Sequence, residues 1–387
     1  MPDRWDGGLA NYLHKVCRML AERGHSPIVF VLSGQYKNWQ DGPVEIQEVK
    51  RVDLPSWIKL VGLRSLLAQY LNTRRLAKSV WRSHRSKQLD ILQASSYMAP
   101  GYSLLRNGRV PVVCRVSSYS PLLRSAYGRQ RNFAEYLSDW MEIRQILDAD
   151  ASFAPSKFVS NILSRVEGYR PEVVRTPVEL SDTSVDESFY LANLKNRAYL
   201  LFFGTLSPIK GVDLLAPVIN EILQRHTDLS FVFIGRDDGL PDGQKMMDFL
   251  RENCSSFEQR IHYWPALVKA QLYPVIAKAL GVIMPSRVDN YPNSCLEAQS
   301  LGVPVIGTDH SSLEEMIVDG KTGFLAKNSD SAFLIVAIER LLSLTVEQRQ
   351  HMRQNLINEI EAVTAEDRVG QLIGFYEAVI SDRRVGN

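Results

Sequence analysis

Residues 281–307 read GVIMPSRVDNYPNSCLEAQSLGVPVIG, and this stretch decides the fold class. The apolar run Gly281–Met284 is typical of a buried strand, and Val303–Gly307 is typical of a second one. Between them, a polar loop leads into a short helix that ends at Gly302. A strand, a helix and another strand in this order form the repeating unit of a parallel sheet. The stretch therefore predicts an α/β protein.

Two carboxylates, Asp289 and Glu297, flank the start of this helix. Asn293 and Ser294 are good N-cap residues, so we expect free backbone N–H groups at that end. Such a helix N-terminus binds phosphate, and carboxylates accept hydrogen bonds from sugar hydroxyls. The combination favours a site for a sugar joined to a diphosphate. The alternative is an ordinary strand, loop and capped helix.

Apolar runs alternate with helical patterns along the whole chain. The expected strands are Ile28–Leu32, Ile91–Ala94, Val110–Val116, Ala151–Ala154, Ala198–Gly204, Leu229–Gly235, Gly281–Met284 and Val303–Gly307. Helical periodicity between strands is clearest over Asp213–His226, Val268–Ala277 and Ala332–Leu344. A chain of 387 residues is long enough for two domains, and the polar stretch Glu179–Lys195 is the expected linker. We therefore predict two domains, each built on a parallel sheet.

The composition is that of a globular protein, with 45% hydrophobic and 23% charged residues. The four cysteines are far apart, which indicates isolated reduced thiols and neither a disulfide framework nor a zinc site. No run approaches the ~20 apolar residues of a membrane-spanning helix, and no pattern of a secretory leader is present. We therefore expect a cytoplasmic protein.

Charge is unevenly distributed along the chain. Residues 1–180 hold 26 Lys and Arg against 16 Asp and Glu, and the remainder holds 19 against 27. The densest basic segment, Arg51–Lys87, carries nine cations against Asp53 alone, with leucines and aromatic residues among them. This pattern is suited to an anionic membrane and favours peripheral contact at its inner face. The alternative is a solvated helix face, while nucleic acid is disfavoured because no recognised binding motif accompanies the segment.

The stretch around Asp289 resembles the donor-site motif of the retaining glycosyltransferases of family 4. LEA at 296–298 and GVPVI at 302–306 match the family pattern, whereas Asp289 replaces its first glutamate. The resemblance is strong over about Ala198–Phe324 and looser before that. It implies the GT-B fold, in which two Rossmann-like domains face a cleft and a C-terminal helix crosses back. The implied domains are 1–177 with 371–387 on the acceptor side, and 178–370 for the nucleotide-sugar donor.

The resemblance also implies the donor-binding residues. Lys210, in FFGTLSPIKG at 202–211, matches a lysine that grips the donor diphosphate, whereas Thr205 stands where the family has an arginine. Arg236 or Arg287 could replace that lost cation. Lys210 and Asp289 are the implied catalytic residues, because charge builds on the leaving phosphate as the sugar bond breaks. The full donor set is Gly7, Gly8, Gly204, Thr205, Lys210, Arg236, Trp264, Ala266, Leu267, Arg287, Asp289, Asn293, Ser294 and Glu297.

Gly7 and Gly8 precede a helical pattern where the family has its phosphate-binding loop, and glycine lets the backbone approach a phosphate closely. The family has a buried strand ahead of this loop, which residues 1–6 cannot form. Either the natural start lies upstream, which we favour, or the first sheet lacks its central strand.

On the acceptor side, many relatives place a histidine where this chain has Ser117, and Arg115 and Tyr119 flank it. Serine cannot accept a proton at neutral pH. In the front-face mechanism inferred for the family, the leaving phosphate takes that proton instead. DAD at 148–150 spells a metal-binding motif but enters an expected buried strand, so we expect no metal and no cofactor.

We therefore predict a metal-independent retaining glycosyltransferase. It would move a hexosyl unit from a nucleotide diphosphate sugar, a UDP-sugar in the first instance, to a glycan or lipid-linked acceptor in polysaccharide biosynthesis. The alternatives are a GT-B sugar-nucleotide epimerase or hydrolase, and a nucleotide-sugar-binding protein with weak catalysis. The departures at Thr205, Asp289 and Ser117 motivate the last of these. The sugar, the acceptor and the linkage stay open.

Overall fold

The structure, a computed structural model, describes residues 8–55, 61–127, 131–177, 185–327 and 330–385. The chain separates into two compact units. The first consists of Met1–Pro177 with Asp367–Asn387, and the second of Val178–Glu366. The chain thus returns to the first unit at Asp367, whereas the sequence placed this return at residue 371.

The first unit alternates strands and helices. Its elements up to residue 177 are α1 (Gly8–Glu22), β1 (Ile28–Ser33), β2 (Lys37–Asp41), β3 (Val44–Lys50), α2 (Val61–Lys87), β4 (Leu92–Ser95), a 3-10 turn (Tyr102–Leu104), β5 (Val112–Arg115), α3 (Ser120–Ala126), α4 (Phe133–Asp148), β6 (Ala151–Ala154), α5 (Lys157–Val166) and β7 (Glu172–Val173). The hairpin of β2 and β3 was not predicted. It turns at Gly42, whose φ is +58°, and Val44 and Ile46 alternate into the core.

The strands of the first unit form two sheets. One has the order β1-β3-β2, with β1 and β3 parallel, and the other is an all-parallel sheet of order β4-β5-β6-β7. Within the described residues, β1 pairs with β3 alone and β4 with β5 alone, although Phe30 of β1 and Leu92 of β4 share one apolar cluster. The described part of this unit therefore has no strand joining the two sheets.

The second unit continues the same alternation. Its elements are α6 (Ser188–Asn193), β8 (Ala198–Phe203), α7 (Leu215–Arg225), β9 (Leu229–Ile234), α8 (Met246–Asn253), β10 (Ile261–Trp264), α9 (Lys269–Ala277), β11 (Gly281–Met284), α10 (Asn293–Ser300), β12 (Val305–Thr308), β13 (Gly323–Ala326), α11 (Ser331–Leu342) and α12 (Val346–Ala365), with 3-10 turns at Val212–Leu214, Ser255–Arg260 and Ser312–Glu315. The expected linker therefore contains a helix, α6, and its residues 179–184 lie outside the described ones.

The strands of the second unit form one parallel sheet of order β10-β9-β8-β11-β12-β13. Along β8, Tyr199 and Leu201 face one side of the sheet while Leu200 and Phe202 face the other, and all four are buried. Helices therefore cover both faces, which is why the strands are almost continuously apolar. The predicted α/β fold class is confirmed, and all eight expected strands are present with small shifts at their ends.

The last helix, α13 (Arg368–Val385), packs within the first unit. Leu372 and Phe375 are buried against Tyr12 and Val16 of α1. The ring centroids of Phe375 and Phe153 lie 5.2 Å apart in an edge-to-face arrangement. The apolar stripe of this helix therefore completes the core of the first unit. Among the described residues, no helix has both the length and the apolar character needed to cross a membrane.

Candidate functional site

The carboxyl ends of β8 and β11 meet at the centre of the second unit's sheet. The two strands are neighbours, and the strand order reverses between them, with β9 and β10 on one side and β12 and β13 on the other. In an open parallel sheet, ligands bind at the carboxyl edge where the order reverses. The loops that follow β8 and β11 therefore frame the candidate site.

Gly211 allows these two loops to touch. Its φ is +67°, a left-handed conformation that favours glycine. A Cβ atom at this position would lie 1.8 Å from the carbonyl oxygen of Pro285. The backbone N–H of Arg287 donates to the carbonyl of Ile209 at 2.9 Å, which fixes the contact. Lys210 is therefore held against the loop after β11.

Lys210 and Asp289 form an ion pair at this junction. Nζ of Lys210 lies 2.8 Å from Oδ2 of Asp289, and the hydroxyl of Ser286 donates to the same oxygen at 3.0 Å. The lysine side chain is 32% exposed and the aspartate side chain 10%. The cation is therefore the more accessible partner, and the structure brings the two predicted catalytic residues into contact.

Arg287 forms a salt bridge with Asp213, which lies in the same region of the second unit. Its guanidinium donates to both oxygens of Asp213, at 2.6 and 2.8 Å, and to the carbonyl of Pro208 at 2.6 Å. A bidentate arginine–carboxylate pair is stronger and more directional than a single hydrogen bond between neutral groups. Arg287 therefore ties the loop after β8 to the loop after β11. The sequence proposed it as a phosphate ligand and gave no sign of this bracing contact.

Arg236 lies at the open edge near Thr205. Its side chain is 63% exposed and bonds Asp238 at 2.6 and 3.2 Å. Its carbonyl accepts a hydrogen bond from the N–H of Leu206 at 2.8 Å, which holds the two loops side by side. Because exposed ion pairs contribute little, this arginine can exchange its partner for an anionic ligand. It is thus better placed than Arg287 to replace the cation missing at Thr205.

Gly204 and Gly235 bring the ends of β8 and β9 together. Their φ angles are +130° and +147°, and a Cβ on Gly235 would lie 1.8 Å from the carbonyl oxygen of Gly204. Gly204 itself is exposed, and a Cβ added there would meet nothing within 4 Å. Its backbone is therefore open to a ligand at the centre of the sheet edge.

The start of α10 corrects the predicted helix cap. The N-cap residue is Pro292, without a side-chain hydrogen bond, so Asn293 and Ser294 are the first two helical residues and do not cap the helix. Tyr291 precedes it with φ at +60°, and its N–H donates to the hydroxyl of Ser312. This strained residue turns the chain sharply after Asp289. The first N–H groups of a helix have no acceptor within the helix, so this end remains suited to an anion.

Glu297 lies one to two turns into α10 and faces the loop after β10. Its carboxylate oxygen Oε1 lies 3.7 Å from Nζ of Lys269, the first residue of α9. The loop between β10 and α9 contains the predicted base-binding residues Ala266 and Leu267, of which Ala266 is exposed. Glu297 therefore lies beside the start of α9, next to the loop that is predicted to bind the nucleotide base.

Trp264 ends β10 and is held by two aromatic contacts. Its ring centroid lies 5.4 Å from that of Phe189 and 5.9 Å from that of His262, which stacks on it. Burial, with the charge of Arg197, lowers the pKa of His262. These contacts fix Trp264 at the point where β10 ends and the predicted base-binding loop begins.

The predicted residues of the first unit have different surroundings. Gly7 lies outside the described residues, and Gly8 is the exposed first residue of α1. Arg115 is buried, with its guanidinium carbon 3.7 Å from the centre of the Tyr12 ring. Tyr119 is buried and donates to Glu167 at 2.6 Å. The side chains of Arg115 and Tyr119 thus make contacts within the first unit and are buried.

Ser117 remains half-exposed at the carboxyl end of β5. Its hydroxyl oxygen lies 3.4 Å from that of Ser96, which follows β4 and donates to the carbonyl of Ser118 at 2.6 Å. Ser117 is therefore the one of the three predicted acceptor-side residues that the first unit leaves accessible.

Burial disfavours the thiolate form of all four cysteines. All four are buried free thiols. Burial raises the pKa of Cys17 and Cys114 to about 12 and that of Cys254 to about 11. Burial, assisted by Asp289, raises the pKa of Cys295 as well. Covalent catalysis by cysteine at neutral pH is thereby disfavoured.

Asp309, His310 and Glu314 follow β12 and bring potential metal-ligating atoms within 4.8 Å of one another. His310 and Glu314 are exposed, and His310 donates its backbone N–H to Glu314. Exposed acidic groups often lie together without an ion, so the prediction of a metal-independent enzyme stays a prediction.

Two family models match the chain, one for each half. The model described as Glycosyltransferase Family 4 matches residues 6–182, and the model described as Glycosyl transferases group 1 matches residues 197–344. The D-inositol 3-phosphate glycosyltransferase of Acidothermus cellulolyticus is 24% identical, over 98% of this chain and 87% of that protein. The lipopolysaccharide core biosynthesis mannosyltransferase LpcC of Rhizobium leguminosarum is 23% identical, over 86% and 87%.

Solved structures resemble the chain over almost its whole length. Sucrose-phosphate synthase from Thermosynechococcus elongatus has a TM-score of 0.79 at 15% identity, covering 97% of this chain and 94% of its own. HepE of Anabaena, in complex with UDP and glucose, has a TM-score of 0.71 at 16% identity, covering 96% of each chain. At such low identity the likeness shows the fold alone.

Proposed function

We propose, on the premise that this chain belongs to the GT-B glycosyltransferases of the family 4 and group 1 type, that it is a retaining hexosyltransferase. Its donor is a nucleotide diphosphate sugar, and UDP is the nucleotide we favour. The acceptor is a growing glycan or a lipid-linked sugar in polysaccharide biosynthesis. The UDP bound in the HepE structure and the lipopolysaccharide core biosynthesis named for LpcC support this choice of donor and acceptor class.

The Lys210–Asp289 pair is the observation that carries the proposal. It lies at the reversal point of the second unit's sheet, where it joins the loop after β8 to the loop that leads into α10. A diphosphate bound at that edge would meet the ammonium group of Lys210 and the first N–H groups of α10. Asp289 would then accept hydrogen bonds from the donor sugar, and Glu297 from the ribose. Arg236 would supply the second cation.

In this proposal the bond between the anomeric carbon and the diphosphate oxygen breaks, and the electron pair stays on that oxygen. Lys210 stabilises the charge that develops there. The acceptor hydroxyl attacks from the same face, and its proton passes to the leaving phosphate, so no side-chain base is required. The products are the nucleoside diphosphate and a glycoside with the donor's anomeric configuration.

Release of UDP tests the proposal and separates it from the two alternatives. The purified protein is incubated with a panel of UDP-hexoses, with and without a bacterial lipid extract. A transferase releases UDP only with acceptor, a hydrolase releases it without acceptor, and a binding protein releases none. An epimerase that retains the nucleotide is recognised by conversion of the donor itself.

Two further readouts complete this experiment. NMR of the product gives the anomeric configuration, and inversion would contradict the retaining mechanism. Adding a chelator should leave the rate unchanged. A rate lost with the chelator and restored by a divalent cation would overturn the metal-independent proposal and direct attention to Asp309, His310 and Glu314.

A further inference from the structure

One face of α2 is exposed and changes from apolar to cationic along its length. Its residues are spaced by three or four positions, so they form a single stripe on the helix. The stripe consists of Leu63, Leu67, Tyr70, Arg74, Lys78, Trp81 and Arg85. Leu63 is 51% exposed and Leu67 42%. Residues 56–60, including Trp57, lie outside the described residues. The stripe is therefore defined here from Leu63 onwards.

The opposite face of α2 explains how the helix is held. Leu76 and Val80 are buried, and the hydroxyl of Thr73 lies 2.6 Å from that of Ser103. Gln69 accepts from Ser138 at 2.8 Å and donates to the carbonyl of Met98 at 3.1 Å. The helix is therefore anchored to the first unit through this face. Of the stripe residues, Trp81 is partly buried against the same core, whereas Leu63, Leu67, Tyr70, Arg74, Lys78 and Arg85 are exposed.

The cations of the stripe lack acidic partners. Arg74, Lys78 and Arg85 are exposed, and none forms an ion pair within the described part of the chain. Neighbouring cations behave differently, since Lys87 pairs with Glu45 and Arg75 donates to the carbonyls of residues 50 and 51. Positive charge is therefore concentrated, without compensation, on one face of the helix.

A groove runs beside these cations. It is a shallow, open groove of about 670 Å³, and the residues that line it include Tyr70, Arg74, Lys78, Trp81, Tyr102 and Arg109. The guanidinium carbon of Arg109 lies 5.5 Å from the centre of the Trp81 ring. Arginine and lysine around a concave aromatic surface provide donors for phosphate oxygens, and the rings sit favourably at a water–lipid interface.

From these features we infer that the α2 stripe docks the protein on an anionic phospholipid membrane. The phosphates of lipid headgroups occupy the groove, while Leu63, Leu67 and Tyr70 enter the interface beside it. A soluble phosphate would account for the cations but not for two exposed leucines on the same stripe. An amphipathic helix with a basic face and exposed leucines is the arrangement that binds anionic bilayers. This inference concerns a surface of the first unit and is independent of the transferase proposal.

Vesicle sedimentation tests the inference with the full chain and without donor or acceptor. Wild-type protein should sediment with vesicles that contain phosphatidylglycerol and stay in solution with pure phosphatidylcholine. Because each cation near an anionic surface contributes on the order of fivefold, Arg74→Ala/Lys78→Ala should weaken binding by at least about tenfold. Leu63→Ser/Leu67→Ser should remove the part of the binding that persists at high salt.

A matched control removes the same charge elsewhere. Arg82 is exposed on α2 but does not line the groove, and Lys278 is an exposed lysine of the second unit. Arg82→Ala/Lys278→Ala should retain most of the binding. Equal loss in this variant would overturn the α2 stripe as the docking surface. Circular dichroism should show that all variants keep the helical content of the wild type.

Inorganic pyrophosphate distinguishes the source of the phosphate. It should compete only weakly with vesicles, because it has no apolar part that could replace the contact of Leu63 and Leu67 with lipid. Absence of wild-type binding to anionic vesicles at low salt would overturn the inference. If pyrophosphate then bound and Arg74→Ala/Lys78→Ala abolished that binding, the groove would belong to a soluble phosphorylated ligand instead.

Discussion

Nζ of Lys210 lies 2.8 Å from Oδ2 of Asp289, although the two residues are 79 positions apart in the chain. The contact joins the loop after β8 to the loop after β11, at the point where the strand order reverses. A diphosphate at this edge would compete with Asp289 for the ammonium group. The ion pair therefore balances the lysine charge and fixes the position of the ammonium group.

Lys210→Ala is expected to lower kcat more than it weakens donor binding. The leaving phosphate oxygen carries more charge in the transition state than in the bound donor, so a cation beside it stabilises the transition state more than the ground state. Loss of one such interaction costs on the order of a hundredfold in kcat. Steady-state kinetics provide the measurement, and Lys278→Ala is the control because Lys278 is exposed on the same unit. A raised KM with unchanged kcat would make Lys210 a binding residue only.

Glu297→Ala is expected to weaken nucleotide-sugar binding by well over tenfold. Two charge-assisted hydrogen bonds to the ribose are worth roughly 2–4 kcal/mol together. Isothermal titration calorimetry with UDP gives the affinity directly. Glu258→Ala serves as the control, because Glu258 is an exposed glutamate of the same unit. If the affinity for UDP stays within a factor of two or so of the wild type, Glu297 does not hold the ribose.

Much of the second unit could be predicted from the sequence because its signals are local. The strands are continuous apolar runs, and the match to a family pattern assigned Lys210 and Asp289 to the same donor site. The contact of Arg287 with Asp213 could not be predicted in the same way. It depends on how two loops 74 residues apart pack, and neither residue type nor spacing reveals this.

In the first unit the sequence was less informative. Arg115 ends β5 and Tyr119 follows it, and polar groups at the end of a strand are the usual signal for a binding edge. Whether such side chains point outward or into the core depends on neighbouring helices, and here Arg115 lies over Tyr12 of α1.

The start of α10, in the second unit, also could not be predicted from the sequence. Asn293 favours an N-cap position, but Tyr291 in a left-handed conformation starts the helix one residue earlier.

Gly211→Ala is expected to destabilise the second unit and to lower activity. The added methyl group combines a left-handed backbone with a collision against the Pro285 carbonyl, at a cost of roughly 2–4 kcal/mol. Displacement of the loop would also move Lys210 away from Asp289. Thermal unfolding and donor turnover measure the two effects. Gly243→Ala is the control, because Gly243 also has a positive φ, +95°, but an added methyl meets nothing within 4 Å. Equal losses in both variants would contradict the packing explanation.

Glu142 of α4 gives the first unit a pH dependence of its own. The residue is 2% exposed, and its Oε1 accepts the backbone N–H of Met98 at 2.7 Å. Burial raises the pKa of this carboxyl from 4.5 to about 7, against the hydrogen bonds from Ser120 and Met98. Met98 has φ at +62°, so the carboxyl also holds a strained turn that follows β4.

Because the folded-state pKa is raised, the folded protein binds this proton more tightly than the unfolded chain does. The contribution of Glu142 to stability is therefore present below about pH 4.5 and is lost as the pH rises towards 7, by roughly 3 kcal/mol. Glu142→Gln keeps an acceptor for the Met98 N–H but cannot ionise. Its free energy of unfolding should therefore fall less than that of the wild type between about pH 5 and about pH 8. Urea unfolding at both pH values measures this difference, with the exposed Glu172→Gln as control. A wild-type loss that Glu142→Gln reproduces in full would assign the pH dependence to other groups.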